Sequence, residues 1–240
     1  MSNKDLLVIL NPRDEKVCVD SLKSVAIPKV WISGFNERDA LSSIMKIVNG
    51  ENISKNGSDL DVAPIYQNYI LISDDVIINQ KNIDVIVNNN KKYDVLTGYC
   101  NLNPNSKQIN VLPAKWGNKL TLRGPTKSPR KTDYPWYPHE ENIDHAKYTR
   151  KYLMENIEED IFETYGIGFS LTSFKRHVLQ EYGLYTYGNR STGGASDHQI
   201  SYRIVKDGKY KMFAHKDCYF EHLKIKRFKK KKHKKIIWEI

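Results

Sequence analysis

Four apolar-rich runs constrain the fold of this chain more than any other feature: LLVIL at 6–10, KVWISGF at 29–35, NYILISDD at 68–75 and YDVLTGYC at 93–100. Short runs dense in Val, Ile and Leu mark strands buried on both faces, because a strand with one wet face alternates apolar with polar residues. Between them the apolar period becomes helical. KVCVDSLKSV (16–25) places Val17, Leu22 and Val25 on one stripe, and ERDALSSIMKIV (37–48) places Leu41, Ile44, Met45 and Val48 on another, closed by Asn49-Gly50. NIDVIVNNN (82–90) reads as a third helix, although its asparagines have poor helical propensity. Strand and helix in alternation predict an α/β fold: a Rossmann-like, mainly parallel central sheet flanked by helices, with ligands beyond the carboxyl ends of the strands.

The remaining segments are less regular. ENISKNGSDLDV (51–62) reads as a loop. Residues 101–147 are rich in Pro, Asn, Lys and aromatic side chains and suggest irregular strands and a long surface loop, with PWYPHEEN (135–142) near a rim. A helix is expected over 148–162 from Tyr148, Tyr152, Leu153, Ile157 and Ile161. Another is expected over 173–183, opened by Thr172 or Ser173 and closed by Gly183. A last one is expected over 196–208, where Ser196 and Gln199 stand at capping-box spacing and Asp197 lies in the first turn.

Charge divides the chain at its end. The net charge is +10, and KIKRFKKKKHKK (224–235) alone carries nine positive charges, leaving the rest almost neutral. A single domain over 1–223 and a basic tail over 224–240 are therefore expected. Three readings of the tail stand side by side: a lysine and apolar segment on an anionic membrane surface, a solvated tail, or a phosphate-neutralising arm for nucleic acid. The last ranks lower, because no nucleic-acid-binding motif accompanies it. No run approaches the ~20 apolar residues of a membrane-spanning helix, and residues 1–5 lead directly into a strand rather than a signal peptide. The expectation is a cytoplasmic protein, peripheral at a membrane if the tail binds one. Cys18, Cys100 and Cys218 are too dispersed for a zinc quartet or disulfide framework and read as buried thiols.

The chemistry centres on Asp74 and Asp75, which end the third apolar run. Adjacent carboxylates in such a run are costly unless they face water, a metal or a ligand at the strand end, or cap a turn's backbone N–H groups. NYILISDDVIINQKNIDVIVNNNKKYDVLTGY resembles the central segment of GT-A-fold, nucleotide-sugar-dependent glycosyltransferases, family 2 in particular. That family has a hydrophobic strand ending in D-x-D or D-D-D, then a helix and a strand of DVVTG type. YGIGFSLTSFKRHVLQEYGLY is similar to its Gly-aromatic-small segment, helix and G-G-F, and SDHQISYRIVKDGKYKMFAH to its E-D-x-D-L-x-x-R-x-x-x-x-G segment. Order and spacing agree over roughly 65–222, with Ser73, Ser196 and Gln199 standing where the family has acids.

The resemblance implies a transferase that moves a sugar from a nucleoside-diphosphate donor to an acceptor hydroxyl on a glycan, lipid or protein, with inversion. It implies Asp75 as the ligand of Mn²⁺ or Mg²⁺, Asp74 beside it near the ribose or a metal-bound water, and Asp197 as the general base. His222 is implied as a further metal ligand, with His215 a rival. Asn11, Pro12 and Arg13 after the first strand, and Phe35 and Asn36 after the second, are implied as donor-binding positions. Each has a plainer alternative: Asp197 complementing the helix dipole, His222 serving structure, Arg13 sitting solvated in a loop. Loss of catalysis with retention of a binding pocket is the alternative at the level of function.

Overall fold

A computed structural model describes residues 4–11, 15–53, 60–102, 104–116, 148–185, 196–223 and 233–240. Strands β1 (Asp5–Asn11), β2 (Lys29–Ser33) and β3 (Asn68–Ser73) pair in parallel, with β1 in the centre. Helix α1 (Lys16–Lys23) joins the first two and α2 (Glu37–Asn49) follows the second. A two-residue strand β4 (Val76–Ile77) and helix α3 (Gln80–Asn89) lead to β5 (Val95–Tyr99). The second half contributes α4 (Arg150–Asn156), β6 (Ile161–Thr164), β7 (Thr172–Lys175) and α5 (Arg176–Tyr182). It ends with α6 (Ser196–Asp207), β8 (Met212–Tyr219), β9 (Glu221–His222) and β10 (Lys235–Glu239).

The large sheet has the order β10-β2-β1-β3-β7-β5-β8-β6. Three of its pairings are parallel and four antiparallel. Antiparallel pairing enters at β7, which is inserted between β3 and β5 and runs against both, and at the edge strands β10 and β6.

Successive strand residues point to opposite faces, so each apolar run feeds two cores. Leu6 and Val8 pack with Leu41, Ile44 and Ile47 of α2, Val178 of α5 and Ile200 of α6. Leu7 and Ile9 pack on the other face with Val19 and Leu22 of α1 and Ile83 and Ile86 of α3. A smaller cluster holds Tyr99, Val111, Leu153 and Phe162 at the β6 edge.

Local chemistry fixes the helix ends. Asn36 caps α2 by accepting from Asp39 N–H at 2.9 Å, and Gly50 ends it at φ +71°, a left-handed conformation that costs glycine little. Asn79 and Asn82 form a reciprocal capping box, which offsets the poor propensity of α3. Gly98 in β5 leaves no room for a side chain: a Cβ there would lie 2.8 Å from both the carbonyl oxygen and the sulfur of Cys218.

Several expectations change. Val17 is solvent-exposed, and α1 buries Cys18, Val19 and Leu22 instead. The helix expected over 148–162 stops at Asn156, where Ile157 turns extended, and Ile161–Thr164 joins the sheet. The helix expected from 173 begins at Arg176, because Thr172–Lys175 fills the gap between β3 and β5.

The boundary after 223 is also corrected in part. Residues 224–232 lie outside the described residues, but Lys235–Glu239 is a strand of the main sheet. It pairs antiparallel with β2, Ile236 opposite Ile32 and Trp238 opposite Val30, and both side chains are buried. No helix among the described residues is long and apolar enough to cross a membrane.

Candidate active site at the carboxyl end of the sheet

The last residue of β3, Ser73, passes into Asp74, whose N–H donates to Leu10 O at 3.1 Å and so extends the ladder with β1 by one bond. Asp74 and Asp75 are both buried. The turn they form feeds β4, which pairs with β9 so that Val76 stands opposite His222. Leu223 N–H closes the pairing on Asp75 O at 2.9 Å.

This small ladder delivers the central contact of the site. His222 Nε2 lies 3.2 Å from Asp75 Oδ2, and the Ser73 hydroxyl donates to Asp75 Oδ1. Ser73 ends β3 and Asp75 lies in the turn that follows, and their side chains meet across that turn. Ser73, which stands where an acid was expected, thus orients the carboxylate and leaves its other oxygen toward the imidazole. His215, the rival, sits in β8, where Asp217 N–H donates to its Nδ1 at 3.1 Å. Burial pushes its pKa below the ordinary value. The Cys100 thiol, buried behind the turn, has its pKa raised by desolvation and then by the Asp75 charge.

The other expected positions follow the carboxyl ends of β1 and β2. Asn11 ends β1 and donates through Nδ2 to Ser33 Oγ at 3.0 Å, beside the end of β2. Pro12 and Arg13 lie outside the described residues. Phe35 is buried in the core with the Lys234 ammonium 5.5 Å from its ring centre, and the Asn36 side chain is engaged in capping α2. Asp197 is partly exposed in the first turn of α6, with Oδ1 accepting from His198 N–H at 2.9 Å. Ser196 donates to Glu37 Oε1 at 2.7 Å, tying the start of α6 to the start of α2.

Asp75 and His222 are therefore brought into contact, and Asn11 lies at the end of the strand beside them. One contributor escaped sequence reasoning: Ser73 stands where an acid was expected, and its hydroxyl bond to Asp75 carried no signal in the sequence.

The donor set suits a hard or borderline divalent ion. At bond lengths of ~2.1 Å, adjacent ligands of an octahedral ion lie about 3 Å apart, close to the Asp75–His222 spacing. No group of three His, Cys, Asp or Glu side chains converges among the described residues. The described residues would thus supply two ligands there, and such ions commonly complete their shell with water and substrate phosphate.

No protein-family model matches the chain, and no curated protein matches it. Solved structures do. A crystal structure of GalNAc-T7 with UDP, GalNAc and Mn²⁺ matches over 95% of this chain at TM-score 0.51 and 14% identity. The fold is GT-A-like. This chain spans 45% of that GalNAc-T7 chain. A crystal structure of A197 from STIV matches 96% of this chain and 99% of its own at TM-score 0.46 and 14% identity. In this GT-A-like frame the Asp75–His222 pair stands at the carboxyl end of the sheet, where open α/β sheets bind their ligands.

Proposed function

We propose that the protein is a glycosyltransferase that moves a sugar from a nucleoside-diphosphate donor to an acceptor hydroxyl, with Mn²⁺ or Mg²⁺ held by Asp75 and His222. The observation that carries the reading is the contact between those two side chains at the end of a central strand of a GT-A-like fold. The bound cation would supply charge neutralisation for the leaving nucleoside diphosphate. Ser73 holds Asp75 in the rotamer that faces His222, which makes it a positioning residue. Asp74 and Asn11 are assigned to the donor side, where the sequence resemblance also puts Pro12 and Arg13, which lie outside the described residues. Phe35 and Asn36 shape that side through the β2–α2 turn, since one side chain is in the core and the other caps a helix.

Asp197 takes the proton of the acceptor hydroxyl as its oxygen bonds to the anomeric carbon. The bond from that carbon to the phosphate oxygen breaks, and its electron pair leaves with the nucleoside diphosphate. The family-2 resemblance implies inversion. The acceptor is a hydroxyl of a glycan, lipid or protein, and the lysine-rich sequence over 224–232 carries a charge that would suit an anionic membrane surface.

A thermal-shift panel of UDP-, GDP-, dTDP- and CMP-sugars with and without Mn²⁺ tests the reading. A ligand at ~100 times its Kd stabilises by about 2.7 kcal/mol. The expected result is a Mn²⁺-dependent rise with one nucleotide series, lost in Asp75→Ala. The absence of any nucleotide-dependent shift overturns the transferase reading. A shift without sugar turnover in the presence of varied acceptors supports instead a binding protein on the same frame.

A further inference from the structure

The opposite end of the sheet holds a second site of contrary chemistry. A cleft of about 650 Å³ opens where β1 and β3 begin and β7 ends. This is a usual size for a small-molecule pocket. Six residues of strand at ~3.3 Å each put it roughly 20 Å from Asp75.

Its floor is polar, with Asn68 and Asn90 buried and Asp5 partly exposed. Asp5 Oδ1 accepts from Asn68 Nδ2 at 2.9 Å and from Asn90 Nδ2 at 2.7 Å. Asn90 is 1% exposed, and its Oδ1 has no hydrogen-bond partner among the described residues. A buried amide oxygen without a hydrogen bond carries a desolvation penalty, which a ligand hydroxyl reaching it through the cleft would relieve. The amide is not reversed, because its nitrogen is the end that reaches the Asp5 carboxylate.

The rim is cationic. Lys4, Lys91, Lys175 and Arg176 line it, against the single carboxylate of Asp5. Lys175 is shared with Asp94 at 3.1 Å, and among the described residues the Arg176 side chain donates only its Nε, to Val48 O at 2.8 Å. The guanidinium therefore keeps further N–H donors for an anion.

We propose that this cleft binds a phosphorylated sugar or polyol, its phosphate on the lysine and arginine rim and its hydroxyls on Asn90 Oδ1 and Asp5. The two chemistries separate cleanly: a bare anion satisfies the rim and leaves the floor unmet, and a neutral sugar does the reverse. The site is independent of the donor site at the carboxyl end.

Isothermal titration of the full chain with glucose 6-phosphate, inorganic phosphate and glucose tests this. The sugar phosphate should bind at least tenfold more tightly than phosphate, and glucose weakest of all. Lys91→Glu, whose side chain is exposed, should weaken the sugar phosphate tenfold or more while leaving the fold unchanged by circular dichroism. Asp75→Ala should leave it unchanged, which separates this site from the proposed donor site. No binding of glucose 6-phosphate at millimolar concentration overturns the proposal. So does phosphate binding as tightly as the sugar phosphate, or binding that survives Lys91→Glu but is lost in Asp75→Ala.

Discussion

The two ends of β1 and β3 carry opposite chemistry on the same pair of strands. At the carboxyl end a buried carboxylate meets an imidazole and a hydroxyl, an arrangement that suits a cation. At the amino end buried amides surround one carboxylate beneath four cationic side chains, an arrangement that suits an anion with hydroxyls. A continuous strand can isolate two polar sites from each other. Leu6–Ile9 and Tyr69–Ile72 between them are fully buried and apolar, so neither site screens or competes with the other.

The largest expected effect tests what the two ends share. Trp238 of the edge strand β10 is buried against the same core as α2, and Trp238→Ala should cost about 3–5 kcal/mol of stability in denaturant unfolding. Both ends should retain their ligands under conditions where the variant is folded. Loss of ligand at one end only would make β10 part of that site.

Next comes the change meant to separate the ends. On the proposed transferase reading, Asp75→Asn should lower sugar transfer ~10²–10³-fold, about 3–4 kcal/mol in the barrier, and remove the proposed Mn²⁺-dependent thermal shift. Sugar-phosphate binding at the amino end should stay as in the wild type. Turnover within threefold of wild type would remove Asp75 from the mechanism.

Gly98→Ala reaches the carboxyl end without touching its polar groups. The added methyl meets the Cys218 backbone and should cost about 1–3 kcal/mol as β8 is pushed away. Because β9 and His222 follow β8 directly, the metal response should weaken while the amino-end cleft is unaffected. A stable variant with full Mn²⁺ response would show that β8 does not set the position of His222.

The smallest effect concerns pH. Burial holds the pKa of His215 below its ordinary 6.5, so the unfolded chain takes up the proton first as pH falls. Stability from this group is complete above pH 6.5 and declines below it. His215→Gln should flatten that dependence in urea melts compared at pH 7.5 and 5.5. An unchanged slope would assign the acid sensitivity to other groups.

Much of the frame was legible in residues 6–100. Runs such as LLVIL and YILIS admit burial on both faces and little else, and the periodic stripe of α2 needed no tertiary help. Asp75 was legible for the same reason, since a carboxylate ending such a run needs a partner. The second half was harder. TSFK looks like the start of a helix when only its neighbours are considered, and becomes a strand because β3 and β5 leave unpaired edges on either side of it. The final residues were hidden behind lysines, whose charge suggested solvent although KIIWE alternates inward Ile236 and Trp238 with outward Lys235, Ile237 and Glu239.

The sequence by itself determined the α/β alternation, the two-sided core and the placing of Asp74 and Asp75 at a strand end, because these rest on hydrophobic period and local turn chemistry. Tertiary structure alone decided that His222 rather than His215 meets Asp75, that Ser73 orients the carboxylate, and that Asn68 and Asn90 converge on Asp5. Those contacts join residues as far as 147 apart along the chain. Their partners are chosen by which strand completes which edge, a choice that local propensity does not encode.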